Sequence, residues 1–455
     1  MTVLGADALV DERTGIITWV RRVEPDPGSP PGLHIWASHT ADVYRLFGWP
    51  ADRYGTGMSF ERAAHARMGA IGEAIERYCG NHVPADLLPA SYEELVAVGR
   101  DAVDPATVLL YSDAQHADAG FPFVRFTRDL PVRWTGGHRI RDGASVLVPA
   151  SLVWVNYFLA PRDSEPPTNF AVFAGIAAGV SERAAWTAAI EELIERDATM
   201  LWWHSGGEPI RIDVDDPALA ATVAPPPGSP VQMHYVLVPN RYGVPVVGAL
   251  LHDREDEYTT LGVAARPDAP SALAKAAAEA WSLRSYARGL DDPDGMIWQA
   301  AAADLIDGTP LKPHRPDRHY TASYRADFRD VVDLSCQAQI YLDPRMQHWC
   351  DRIRQPSRRT ALSQIPPVRG EPLGAYLRTL DEFGIDPIAV DLTTPDVAAC
   401  GLHVARVVAP GMYSNPPAAF PFLAGDRLLD EPVALGLATG RLDPGELVLA
   451  PLPHT

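Results

Sequence analysis

Residues 55–80 read GTGMSFERAAHARMGAIGEAIERYCG, and their spacing decides how the chain is read. From about residue 60 to 80 the pattern predicts a helix, on which positions i, i+3 and i+4 share a face. Glu73, Glu76 and Arg77 therefore point one way, while Ile71, Ala74, Ile75 and Tyr78 form an apolar face toward a core. Gly69, Gly72 and Gly80 lie near the acidic face, where a missing side chain lets a ligand or a second backbone come close. Ahead of the helix, Gly55-Thr56-Gly57-Met58-Ser59 predicts a short glycine loop whose N–H groups could cradle phosphate beside a helix N-terminus. It is not a P-loop, because no Gly-Lys-Ser/Thr follows.

The pattern recurs. Residues 175–198 read GIAAGVSERAAWTAAIEELIERDA, and a second helix is predicted from about Glu182 to Met200. ERAA at 61–64 precedes Glu73, Glu76 and Arg77; ERAA at 182–185 precedes Glu192, Glu195 and Arg196, with Ile190, Leu193 and Ile194 behind them. One such motif alone reads as a solvated helix face with i,i+4 ion pairs. Two in matching settings point to two related helices. If they face each other, four carboxylates and two arginines converge, and the carboxylates would shift one another's pKa values. Magnesium resolves that conflict, since it takes hard oxygen ligands and bridges to nucleotide phosphates, with arginine completing the clamp.

Outward from these helices, helix and strand alternate. ITWVRRV is the clearest strand in residues 1–53, residues 145–158 read as buried strand and loop, and VQMHYVLVP and VPVVGALLHD read as strands. A third, Ala-rich helix is predicted near 270–289, followed by strands in IDPIAVDLTT and LHVARVVAPG. The fold class is therefore α+β (mixed α/β). Three segments are expected: a strand and loop segment at 1–53, a main domain at 54–425, and a C-terminal segment with a Pro-rich tail at 426–455.

At 455 residues and 47% hydrophobic, the chain can bury a sizeable core. A formal charge of -19 argues against nucleic acid as partner, which needs clustered Lys and Arg. Cys79, Cys336, Cys350 and Cys400 form no CxxC pair, so no zinc ribbon is readable, and their scatter fits a reducing compartment. No signal peptide or membrane-spanning run is evident, so a cytoplasmic location is expected. His65 and His403 lack the partners of a nucleophile's base, and Trp202 and Trp203 read as core or interface.

Together these segments resemble the YcaO family, in its azoline-forming cyclodehydratase branch, over about residues 54 to 425. The blocks at 55–80 and 175–198 look like the family's first two ATP-site helices. SALAKAAAEAWSLR looks like the third, and residues 384–428 look like its closing segment. The resemblance implies binding of ATP with Mg2+ between such helices. It implies a reaction in which a Cys, Ser or Thr side chain of a ribosomal precursor peptide attacks the preceding amide carbonyl. The amide oxygen then leaves as phosphate and an azoline ring remains, a reaction catalysed mainly by positioning and charge stabilisation.

Carried over by position, Glu73, Glu76, Glu192 and Glu195 would hold metal and phosphates, and Arg77 and Arg196 would lie beside them. Glu279 and Arg284 would be the third helix's contribution, and Ser59 would face phosphate from the glycine loop. Pro451 and Pro453 partly match a Pro-x-Pro-x-Pro tail that orders the site in this branch. The sequence departs from the family at Thr56, where Gly-Lys-Gly is usual, and at Phe173-Ala174-Gly175, where Ser-Asn-Gly is usual. It departs again at Gly69 and Ala188, which begin the two motifs, and at Ser282, where Gln is common. These changes bear on nucleotide affinity. The resemblance further implies a separate E1-like partner that binds the precursor's leader, and a homodimer. Two alternatives stay open: amide activation for a thioamide or amidine product, and a catalytically silent peptide-binding or scaffold subunit.

Overall fold

In the computed structural model, residues 4–44, 52–159, 165–303 and 310–454 are described. Three sheets carry the fold. Strands β1 (Ile17–Val23), β2 (His34–Thr40) and β3 (Tyr54–Ser59) form an antiparallel sheet in that order. The second sheet contains β4 (Leu88–Ala90), β5 (Val132–Arg139), β6 (Ser145–Pro149), β7 (Ile176–Gly179), β13 (Ile388–Asp391) and β14 (His403–Val408). Its order is β4-β5-β13-β14-β7, with β6 beside β5. The third contains β8 (Ile210–Asp213), β9 (Val231–Leu237), β10 (Val246–Asp253), β11 (Thr259–Ala265) and β12 (Arg358–Ala361), in the order β11-β10-β9-β8-β12. Among the described strands of this sheet, only β12 and β8 pair in parallel. The mixed α/β class expected from the sequence is what forms.

Three long helices lie on these sheets: α1 (Ala63–Cys79), α2 (Glu182–Ser205) and α3 (Ala269–Asp291). Helix α1 packs on β2 and β3 and touches β7; α3 packs on β10 and β11 and touches β3. Helix α2 packs against β7 and β14 of one sheet and β11 of another. It is therefore buried along most of its length, from Ala189 to Ser205. An N-cap at Ser181, whose Oγ accepts from the Ala184 N–H at 3.2 Å, starts it, and Gly206 at φ +70 stops it.

The expected glycine loop at 55–59 is instead strand β3, in register with β2. Its glycines serve packing. A Cβ on Gly57 would stand 2.0 Å from the Ala66 carbonyl oxygen of α1. The same contact recurs where α3 meets β11: a Cβ on Gly262 would stand 2.1 Å from the Ala276 carbonyl oxygen. Each helix thus rides almost on the strand backbone. Gly69, expected to admit a ligand, faces Gly57 in this contact.

The sheet β1-β2-β3 straddles residues 53 and 54, so the expected first and second segments share one hydrogen-bonded layer. At the other end, Ala450 to His454 are buried in the body of the fold. The four cysteines are free and buried. Among the described residues, no helix is long and apolar enough to cross a membrane.

Candidate active site

Five glutamates of the three helices share one arrangement: each fixes one oxygen on a backbone N–H in, or just before, a neighbouring strand. From α1, Glu73 Oε2 accepts from the Thr56 N–H of β3 at 2.7 Å, and Glu76 Oε1 accepts from the Ala178 N–H of β7 at 2.7 Å. From α2, Glu192 Oε2 accepts from the Gly175 N–H at 2.9 Å and Glu195 Oε2 from the Ala265 N–H of β11 at 3.1 Å. From α3, Glu279 Oε2 accepts from the Val263 N–H of β11 at 2.9 Å. A carboxylate anchored in this way has a fixed direction and one oxygen left to offer.

The second oxygens differ. Arg77 donates to Glu73 Oε1 at 2.9 Å and also pairs with Asp52 at 3.3 Å. Arg196 lies 3.1 Å from Glu195 Oε1 and 3.8 Å from Glu192 Oε1. Glu76 Oε2 and Glu279 Oε1 have no hydrogen-bond partner among the described residues. Burial raises the Glu76 carboxyl to about 8, and the charges of Glu73 and Glu192 add to this. Burial also raises Glu192, with the Glu195 charge in the same direction. Burial opposes the charge on Arg196, but Glu195, Glu192 and Glu279 more than offset it and raise its pKa. Glu76 and Glu192 anchor on residues 178 and 175, and Glu195 and Glu279 on residues 265 and 263 of β11, so the acidic faces of all three helices look onto one region.

They do not close on a single point. Among the described residues, no three His, Cys, Asp or Glu side chains are grouped as a bare-metal cage. The convergence of four carboxylates expected from the sequence is instead a spread arrangement. This donor set fits magnesium, which keeps several waters and usually takes one or two carboxylates plus substrate phosphates. The residues that would hold it are Glu76, Glu192, Glu73 and Glu195, with Glu279 presenting a further free oxygen.

Other expected residues fall elsewhere. Ser59 Oγ accepts from the Glu61 N–H at 3.0 Å and so closes a turn ahead of α1. Arg284, expected beside nucleotide, is 2% exposed and grips Asp253 Oδ2 through Nε at 2.8 Å and a terminal nitrogen at 2.6 Å. It lies five residues beyond Glu279, on another face of α3, and ties that helix to β10. Pro451 and Pro453 belong to a buried strap: Tyr341 donates to the Pro451 carbonyl at 2.8 Å, and the Leu261 N–H to the Pro453 carbonyl at 2.7 Å.

Two residues of the site were not singled out in the sequence. His454 reaches Arg196 through Nε2, while its Nδ1 faces the Leu261 carbonyl at 3.0 Å. Burial, then the Arg196 charge, lowers this imidazole to about 3, so it is neutral and accepts from the guanidinium. Lys275 is one of only two lysines in the chain, one turn before Glu279, and its charge bears on Glu191, Glu192 and His454. The i,i+4 spacing to Glu279 was the available signal. Helix α2 is locked behind the site by Asp197, which takes a bidentate pair from Arg427 at 2.8 and 2.9 Å and the Tyr242 hydroxyl at 2.6 Å.

Fold and site together define a mixed α/β scaffold in which three helices present backbone-anchored carboxylates. Residues 54–413 match the YcaO cyclodehydratase family, described as ATP- and Mg2+-binding, and the chain belongs to that family. No curated protein matches the sequence. Among solved structures, the chain is similar to a heterocyclase in complex with substrate and cofactor, with a TM-score of 0.70 and 20% identity over 98% of this chain and 56% of that one. It is also similar to the heterocyclase TruD, with a TM-score of 0.58 and 21% identity over 85% of this chain and 50% of that one. A third is YcaO from Methanopyrus kandleri bound with AMPPCP and Mg2+, with a TM-score of 0.55 and 18% identity over 89% and 91%. This chain spans about half the length of the two heterocyclases.

Proposed function

We propose that this protein is an ATP-dependent cyclodehydratase that forms thiazoline or oxazoline rings from Cys, Ser or Thr in a ribosomal precursor peptide. The observation that carries the reading is the set of five glutamates on three helices, each directed by a backbone N–H, with free oxygens on Glu76 and Glu279. Membership in a family described as ATP- and Mg2+-binding supports the nucleotide, and the substrate-bound heterocyclase fold supports the peptide. When bound, ATP with magnesium supplies the phosphoryl group that turns a poor amide leaving group into a good one. The chain's own part is to hold and orient. Glu73, Glu76, Glu192 and Glu195 fix the metal side, Arg196 and Lys275 bring positive charge to the phosphate side, and Arg77 holds Glu73 in place. The precursor is delivered in this reading by a separate E1-like, leader-binding protein, and the chain works as a homodimer.

The test is mass spectrometry of a Cys-, Ser- or Thr-containing precursor incubated with the protein, Mg-ATP and the E1-like protein, alongside a phosphate assay. Loss of one water per modified residue with matching phosphate release, abolished by Glu76→Gln, is the expected result. ATP turnover without water loss would move the product to a thioamide or amidine. Absence of both nucleotide binding and mass change would leave a scaffold subunit.

A further inference from the structure

Arg406, in the middle of β14, is 1% exposed, and no carboxylate lies within ion-pair distance of it among the described residues. A buried charge without a counter-charge is expensive to keep. Its hydrogen bonds all go to backbone carbonyls on two loops. Nε donates to Val153 O at 2.9 Å, one terminal nitrogen donates to Val172 O at 2.6 Å, and the other to Phe173 O at 3.2 Å and to Ala174 O. Three of these acceptors are consecutive, and the next residue is Gly175, whose N–H holds Glu192. Gly175 sits at φ +91 with its carbonyl on the Val407 N–H at 2.7 Å. The guanidinium therefore grips the three residues that aim this amide, and the Glu192 charge acts on it.

We propose that Arg406 is a positioning residue of the nucleotide site. It holds residues 172–174 so that the Gly175 N–H directs Glu192, and its own charge favours a carboxylate there. This rests on the nucleotide-site reading above.

The experiment compares wild type, Arg406→Lys, Arg406→Gln, Glu192→Gln and the Arg406→Lys/Glu192→Gln double variant. Hydrogen exchange is followed peptide by peptide without ligand, and binding of AMPPCP with Mg2+ is followed by calorimetry. The expected result for Arg406→Lys is faster exchange confined to residues 172–179 and at least about tenfold weaker binding, the usual cost of losing an outer support of a ligand-holding group. On the Glu192→Gln background, Arg406→Lys should weaken binding no further. Additive losses, or unchanged exchange at 172–179, would overturn the proposal. Failure of both Arg406 variants to fold would overturn it too, since Arg406 would then serve the fold. If wild type itself does not bind AMPPCP, the nucleotide reading fails, and the exchange pattern alone decides whether Arg406 governs the loop.

Discussion

Glu76 shows how one side chain carries two opposed demands. Its buried carboxyl, raised to about 8, is mostly protonated at neutral pH, while metal binding requires the carboxylate. Magnesium binding at pH 7 should therefore release a proton, and apparent affinity should rise as pH approaches 8; a pH-stat titration in unbuffered salt measures both. The unfolded chain ionises this group near the ordinary value of 4.5, so folding stability without metal is lost progressively as pH rises from there through about 8. Glu76→Gln should remove that loss and raise the apo melting temperature at pH 8, while lowering ATP turnover by about 10²-fold. Spacing along the chain made Glu73, Glu76, Glu192 and Glu195 readable, and the family resemblance added Glu279. Their strand amides were not, because Ala178 stands 102 positions from Glu76 and Ala265 stands 70 from Glu195, pairings that only tertiary structure creates. The surroundings of Arg284 were not legible for a related reason. Five residues along a helix turn a side chain to another face, and its partner Asp253 lies on a different strand.

At the scale of elements, the contact between helix and strand at glycine is the device to test. Gly57→Ala puts a Cβ against the Ala66 carbonyl and 2.3 Å from the Ala70 nitrogen, both backbone, so α1 must lift from β3. A loss of about 2–4 kcal/mol by urea unfolding is expected, together with loss of the Glu73 anchor on Thr56. Glycines at 55 and 57 suggested a loop because glycine disfavours strands; the close approach of α1 overrides that preference. Strand β11 escaped notice because it is buried on both faces and shows no alternation. By contrast ITWVRRV, half buried on an outer strand, forms Ile17–Val23 as read. The strap at 450–454 is the second element to test. Replacing residues 450–454 by Gly-Ser repeats should leave circular dichroism little changed and cut ATP turnover at least about tenfold, since Arg196 would lose its acceptor His454. Unchanged turnover would make the strap a packing element only.

For the whole molecule, His204 adds a pH dependence of opposite sign. It is buried on α2 with its Nδ1 2.7 Å from the Val448 carbonyl, and burial, with the Arg352 charge, lowers its pKa to about 4. Below about 6.5 the unfolded chain takes up a proton that the folded one refuses, so stability should fall between pH 6.5 and 4, by up to about 3 kcal/mol. His39, lowered to about 4 by burial and then Arg53, works in the same direction. Urea midpoints at pH 6.8 and 5.0 measure the drop, and His204→Gln should reduce it. The mixed architecture was legible from alternating elements, whereas the sharing of one sheet across residue 54 was not, because register between strands leaves no local trace. One earlier detail also bears on the order of events during folding. Helix α1 and its sheet come together within the first 80 residues, but Arg196 meets His454 across 258 positions of chain. Closing so long a loop is slow. A refolding chain should recover its helices early and its affinity for nucleotide late, so the chain passes through a folded yet inert stage in which every glutamate is present and the strap that carries His454 is not yet seated.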